Sequence, residues 1–243
     1  MQSAQFAIAV FEFVLLIFSL SVHECSHAWM ASRLGDQTAR MQGRVTLNPI
    51  YHIDPVGTLI MPAIIIFGPL IGFTLFSGVL IGWAKPTPVI SRNFAKIRRD
   101  ENLVTLAGPL SNLSLAVVAT IVLLIVIHAV AGGPDVPNGR EIVNFTLHNV
   151  LLPNVASAVQ AIVLLGIAAV KINLALLFFN LLPIPPLDGS QLLRNALPYN
   201  AVQTYDRIPL WISWMLMIFV GGYIMRLLLI PAFSIVGLVL AKG

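Results

Sequence analysis

Apolar residues fall into five long blocks, near 6–31, 56–84, 102–131, 159–182 and 208–230, with shorter polar stretches between them. A helix needs about 20 apolar residues to cross a bilayer at 1.5 Å per residue. The pattern therefore predicts an all-α polytopic membrane protein with four to six transmembrane helices. The second block differs from the others because Pro62, Gly68, Pro69, Gly72, Gly78 and Gly82 interrupt it. Arg33, Arg40 and Arg44 precede it, and Lys85, Arg92, Lys96, Arg98 and Arg99 follow it, so both of its ends belong on the cytoplasmic side. Its 29 residues cannot make two complete crossings. A re-entrant, partly extended hairpin satisfies both constraints; one spanning helix plus an interfacial strand is the alternative. Non-helical backbone at membrane depth survives only against protein or trapped water.

The 132–157 segment carries one basic residue and the turn signals Gly132-Gly133-Pro134 and Pro137-Asn138-Gly139, which place it on the opposite side. The 188–207 segment then returns to the cytoplasm. This gives four spanning helices plus the hairpin, with an outer N-terminus. No internal repeat is evident.

Composition sharpens this picture. Apolar residues make up 58% of the 243 and charged residues 10%, against about 25% charged in a soluble domain. The net charge of +4 contains no block of five like charges, which excludes a disordered tail or a nucleic-acid arm. The basic 85–99 surface fits topology and anionic lipid. A single cysteine, Cys25, excludes an intrachain disulfide. The first block reads as a retained helix, because no basic residue opens it and no clear cleavage site follows. No connection exceeds about 27 residues, too few for a separate soluble domain. We expect one membrane-embedded domain over 1–243, with a catalytic core at about 6–190 and a C-terminal helical segment at about 208–240.

The chemistry concentrates in His23-Glu24-Cys25-Ser26-His27, at the cytoplasmic end of the first block. Charged groups at the centre of a helix in lipid cost roughly 2.5–3.5 kcal/mol on insertion scales, so three ionisable residues in five need a reason. Metal binding is sufficient. At about 100° per residue His23 and His27 share one face, one turn apart, while Glu24 lies beside it, within reach of a water on the metal but not as a ligand. Cys25 points away and is expected to pack against a neighbouring helix. Catalytic zinc usually takes three protein ligands. The best candidate for the third lies in Asn180-Leu181-Leu182-Pro183-Ile184-Pro185-Pro186-Leu187-Asp188-Gly189, where three prolines end the helix and Asp188 can fold back. Gly189 would permit the following turn. A helix C-terminus followed by a plain polar loop is the alternative.

HECSH together with NLLPIPPLDG resembles the site-2 protease family of intramembrane zinc metalloproteases, in its compact bacterial branch without PDZ or CBS modules. The likeness extends to Leu34-Gly35-Asp36, the Gly43–Pro62 stretch GRVTLNPIYHIDPVGTLIMP, GWAKPTPV from Gly82 and AGPLSN from Ala107, covering about 20–190. It implies that His23, His27 and Asp188 bind one catalytic zinc ion, that Glu24 is the general base, and that Asn180 helps hold the substrate or its oxyanion. The implied reaction is hydrolysis of a peptide bond within or near the transmembrane helix of a membrane-anchored substrate, either a single-span protein or a signal-peptide-like helix. The implied place is the bacterial cytoplasmic membrane, with the site near the cytoplasmic side. An unwound substrate would need main-chain partners, which an edge strand within 56–84 could supply.

Other residues are read more plainly. Asn112 either joins two helices, the favoured reading, or hydrogen-bonds across to the site, and Asn173, seven residues before Asn180, is expected to face the interior. Lys171 lies deep in the fourth block and needs a carboxylate or carbonyl partner. Glu12, eleven residues before His23, shares its face about 16 Å further up the helix, lining a water path or snorkelling to the interface. His52 and Asp54 could supply a fourth resting ligand or a cap, with turn chemistry the favoured reading. His128 and His148 read as interfacial, and the Trp and Tyr residues as an aromatic belt. A metal or proton carrier, a non-proteolytic scaffold and the prenyl-protein type of membrane protease compete as functions. A carrier has no need of Glu24 and commonly shows a repeat, a scaffold has no need of a general base, and the LDG segment does not resemble the prenyl-protein type.

Overall fold

The structure is a computed structural model that describes residues 2–73, 82–130 and 157–242, and among these residues all regular secondary structure is helical. The elements are α1 (Gln2–Arg33), α2 (Thr38–Met41), α3 (Met61–Phe67), α4 (Ile97–Val130), α5 (Ser157–Asn180), α6 (Asp188–Ala196), α7 (Tyr199–Tyr205), α8 (Leu210–Leu216) and α9 (Gly222–Lys242). Four stretches are long and apolar enough to cross a membrane: Gln5–Arg33, Ile97–Ala129, Ala161–Asn180 and Leu210–Gly237. The last combines α8, a π-helical turn over Met217–Gly221 and α9. The turn-rich 132–157 segment lies almost wholly outside the described residues, as do His148 and Gly78.

The bundle centres on α4, which packs along α1 and α5. Its core joins Ala116, Leu123 and Ile127 of α4 to Val163, Val170, Leu174 and Leu177 of α5 and to Leu240 of α9. In lipid there is little hydrophobic drive between helices, so close approach matters. A Cβ on Gly166 would stand 2.5 Å from Leu123 Cδ2, so this glycine sets the α4–α5 separation.

The interrupted second block folds back on itself. It enters as a π-helix over Pro55–Ile60, continues as α3, and tightens into a 3₁₀ turn over Gly68–Ile71 that ends at Gly72 in the left-handed region, φ +83°. Its return limb, 82–90, has no regular structure, and Ile90 is extended. Entry and exit lie side by side: the Trp83 amide donates to the Gly57 carbonyl at 3.2 Å, and the Thr58 hydroxyl to the Trp83 carbonyl at 2.8 Å. A Cβ on Gly57 would strike the Trp83 ring, at 2.3 Å. This is the expected hairpin, but the edge strand cannot lie within 55–71. Pro55, Pro62 and Pro69 each sit in the first turn of a short helical piece, where a missing N–H costs nothing.

A polar layer fastens this limb to α1. The buried Asp36 carboxylate accepts from the Thr38 amide and hydroxyl and the Asn93 amide at Oδ1, and from the Ile90 amide at Oδ2. Burial pushes this carboxyl up, but the four donors outweigh it and hold it below the usual range. The buried Arg44 guanidinium donates to the carbonyls of Tyr51, Lys85 and Pro86. His52 donates from Nε2 to the Thr46 carbonyl, and Asp54 caps the π-helix by accepting from the Val56 and Gly57 amides. His52 and Asp54 thus serve the turn.

Candidate metal centre

His23 and His27 lie on α1, four residues apart, with their ring centroids 4.6 Å apart and edge to face. Asp188 reaches them from the start of α6. The prolines at 183, 185 and 186 prevent α5 from continuing past Asn180, and the chain turns back through Leu187 into a new helix. Gly189 matters for space: its φ is not positive, and a Cβ there would stand 2.2 Å from the Leu181 carbonyl oxygen. The expected conformational role for Gly189 gives way to close packing of α6 on the end of α5.

The three ligand-type atoms converge. His23 Nε2 and His27 Nε2 are 3.0 Å apart, and Asp188 Oδ2 lies 3.1 Å from the first and 3.3 Å from the second. Tetrahedral zinc with bonds of about 2.0–2.1 Å separates neighbouring ligand atoms by about 3.3 Å. The buried Oδ2 has no hydrogen-bond partner, leaving a lone pair directed at the imidazoles. Among the described residues His23, His27 and Asp188 form the group able to hold a metal ion. These residues fit a small divalent cation.

The tautomers follow from the partners. The Val104 carbonyl can only accept, so His27 Nδ1 carries its proton and donates to it at 2.7 Å. The Asn112 amide nitrogen faces the Ser19 carbonyl, 3.4 Å away, and Asn173 Oδ1, 3.0 Å away. Asn112 Oδ1 therefore faces His23 Nδ1, at 2.6 Å, and accepts its proton. Asn173 in turn donates to the Ala169 carbonyl at 2.9 Å and the Ser19 hydroxyl at 3.0 Å. Both Nε2 atoms are left bare, as metal ligation requires. Asn112 does more than join helices: it orients an imidazole.

Gly108 makes the approach of α4 possible. A Cβ there would lie 2.4 Å from His27 Nε2 and 2.6 Å from His23 Nε2.

Glu24 stands beside the cluster and is held by the return limb. Its Oε2 accepts from the Thr87 amide at 3.1 Å and hydroxyl at 2.9 Å. Asn180 lines the same cavity, where its Nδ2 donates to the Leu176 carbonyl at 3.0 Å. Cys25 is half-buried, with its thiol against the Thr46 backbone rather than a neighbouring helix. Trp83 and Trp214 stack edge to face at 5.2 Å and wall the cavity. That cavity, of about 920 Å³, runs from the convergent cluster along α1 to Glu12 and along α5 to Lys171.

Thr87 and Gly108 lie in the GWAKPTPV and AGPLSN stretches already noted, but their tasks, and that of the Val104 carbonyl, were hidden because each contributes through a long-range approach or through its backbone. Asn112 was visible as a polar residue in an apolar helix, and only its partner was hidden.

Residues 11–220 match the model of Peptidase family M50. The candidate zinc metalloprotease YwhC of Bacillus subtilis is 37% identical over 185 residues, which are 76% of this chain and 68% of its own length. The candidate zinc metalloprotease Rip2 of Mycolicibacterium smegmatis is 37% identical over 109 residues, 43% of this chain and 38% of its own. Rip2 of Mycobacterium tuberculosis is 31% identical over 177 residues, 71% of this chain, so the match spans about half, 52%, of that relative. No solved structure matches the chain.

Proposed function

The chain belongs to peptidase family M50, and on that premise we propose that it is an intramembrane zinc endopeptidase acting on the transmembrane helix of a membrane-anchored substrate. The observation that carries this reading is the convergence of His23, His27 and Asp188, with Oδ2 orphaned, inside a bundle of membrane-length helices. His23, His27 and Asp188 are the residues that would hold one zinc ion. Zinc bound there supplies a Lewis acid for the peptide carbonyl and lowers the pKa of water from about 15.7 to about 7.

Glu24 is the general base. Its carboxylate takes the proton of the attacking water and passes it to the leaving amine. Thr87 aims that carboxylate by gripping one oxygen and leaving the other for the proton. Asn180 spends one amide N–H on Leu176, and its second is available to a developing oxyanion. The apolar walls of the cavity keep bulk water away from these groups. The substrate is a single-span or signal-peptide-like segment, reached within the bacterial cytoplasmic membrane from a site near the cytoplasmic face. The whole chain, 1–243, acts as one membrane-embedded unit.

The test is to purify wild type, Glu24→Gln and Asp188→Asn in detergent, measure zinc per chain, and incubate each with a model single-span substrate. We expect about one zinc in wild type and Glu24→Gln, a marked loss in Asp188→Asn, and cleavage by wild type alone. Bound zinc with no cleavage by wild type, and metal flux in vesicles, would favour a carrier.

A further inference from the structure

One buried cation takes no part in the chemistry described so far. Arg33 and Arg40 are exposed, but Arg44, in the same connection between α1 and the hairpin, is only 5% exposed and has no ion pair among the described residues. A buried charge is costly unless hydrogen bonds satisfy it. Backbone carbonyls do so here: the guanidinium donates through Nη1 to Tyr51 and, at 3.5 Å, to Lys85, and through Nη2 to Pro86 at 3.3 Å. It thereby joins its own loop to the return limb. A main-chain bond from the Lys85 amide to the His52 carbonyl, at 2.9 Å, already makes that junction, so the charge calls for a further task.

That task lies across one peptide group. The Pro86 carbonyl accepts from Arg44, and the next N–H, that of Thr87, donates to Glu24 Oε2 at 3.1 Å. The Pro86–Thr87 bond is trans, so this carbonyl and this N–H leave one rigid plane in opposite directions. A guanidinium thus meets the oxygen end of the peptide dipole and a carboxylate its hydrogen end. In that orientation both charges are favoured and each hydrogen bond strengthens the other. The local sequence prepares the plane, because Lys85 and Thr87 each precede a proline and are kept out of the helical region. Rotating the Pro86 carbonyl away from Arg44 would rotate the Thr87 N–H away from Glu24 with it. We propose that Arg44 is a positioning residue for Glu24, acting through the Pro86–Thr87 peptide group. The Thr87 hydroxyl, 2.9 Å from the same carboxylate oxygen, is a second grip that does not pass through this plane. The inference rests on the reading of Glu24 as the general base.

The test uses the full chain in detergent, without zinc, with isotopic nitrogen in its threonines and arginines. NMR then follows the Thr87 amide, identified by its loss in Thr87→Val, and the slowly exchanging guanidinium, since Arg44 is the buried arginine among the described residues. Glu24→Ala, which leaves Arg44 in place, should shift the guanidinium signal, because the peptide plane couples the two ends. Arg44→Gln should speed deuterium exchange at the Thr87 amide by about tenfold, as the loss of one charge-assisted hydrogen bond provides. In the zinc-loaded enzyme with a single-span substrate, Arg44→Gln should lower kcat by about tenfold with KM and zinc per chain unchanged. Arg44→Lys, which keeps a charged donor, should recover part of both losses. A guanidinium signal unmoved by Glu24→Ala would overturn the proposal, and that arm decides even if Arg44→Gln fails to fold. A Thr87 amide equally protected in folded Arg44→Gln would overturn it too, leaving Arg44 as a stitch between loops. Both NMR effects without cleavage by zinc-loaded wild type would overturn the peptidase and leave the coupling of Arg44 to Glu24 standing.

Discussion

Two stretches of the cavity wall are built in opposite ways. At the metal end both imidazoles are held from behind, His23 by Asn112 and His27 by the Val104 carbonyl, and Asn112 is itself held by Asn173 and Ser19. Elsewhere along the cavity wall, Glu12 and Lys171 have no ion pair or side-chain hydrogen bond among the described residues. A fully satisfied buried network is rigid. The metal end is organised before anything binds; the wall that carries Glu12 and Lys171 has no such support.

The strongest way to break this contrast is at Gly108. Gly108→Ala changes no ligand, yet its methyl group would enter the space of both Nε2 atoms. Zinc affinity, measured by competition with a chelator, should fall by at least about 100-fold, with the helical content by circular dichroism preserved. Unchanged affinity would mean that α4 yields easily and that the metal end is less rigid than described. Asn112→Ala removes the support of His23 and should lower zinc affinity by about 10–100-fold, equally for every substrate. Asn112→Asp keeps an acceptor and should recover part of the loss.

Thr87→Val sharpens the contrast from the other side. It deletes the hydroxyl on Glu24 while retaining the amide, so kcat should fall by about tenfold with zinc per chain and KM unchanged. A change in KM instead would place Thr87 on the substrate. The smallest effect concerns Asp36. Its folded pKa is depressed, so the carboxylate contributes stability that is present above the ordinary value of about 3.9 and is lost as pH falls through the folded value. Thermal unfolding in detergent at pH 7, 4 and 3 should show wild type losing its advantage over Asp36→Asn as pH drops. A constant advantage across that range would mean that the four donors do not act through the charge.

The helices and the hairpin were legible because lipid imposes a length on every crossing and a sign on the basic flanks. His23, Glu24 and His27 were legible because they lie within five residues, where helical geometry is known in advance. Asp188 was marked by the prolines before it. What could not be read was pairing across distance. Helical spacing shows that Asn112 faces inward but not that an imidazole 89 residues earlier waits there. Thr87 acts in part through a backbone amide, and Val104 wholly through a carbonyl, so nothing in their side chains announces them. Gly189 was read for flexibility, whereas its task is to be thin. The edge strand is excluded from 55–71 for a related reason: Pro and Gly mark broken helices as readily as extended chain, and 55–71 is a sequence of short helical pieces.

The order in which the chain is made gives the Asp188 contact a further meaning. His23 and His27 emerge early, whereas Asp188 follows α4 and α5. At about 5–20 residues per second, that carboxylate is made on the order of 10 s after the histidines. A nascent chain therefore enters the membrane with two of the three converging side chains, and α5, which must turn back at Asn180, delivers the third. Assembly of the cluster therefore reports that α1, α4 and α5 are in place, before the last membrane-length stretch, Leu210–Gly237, has been made.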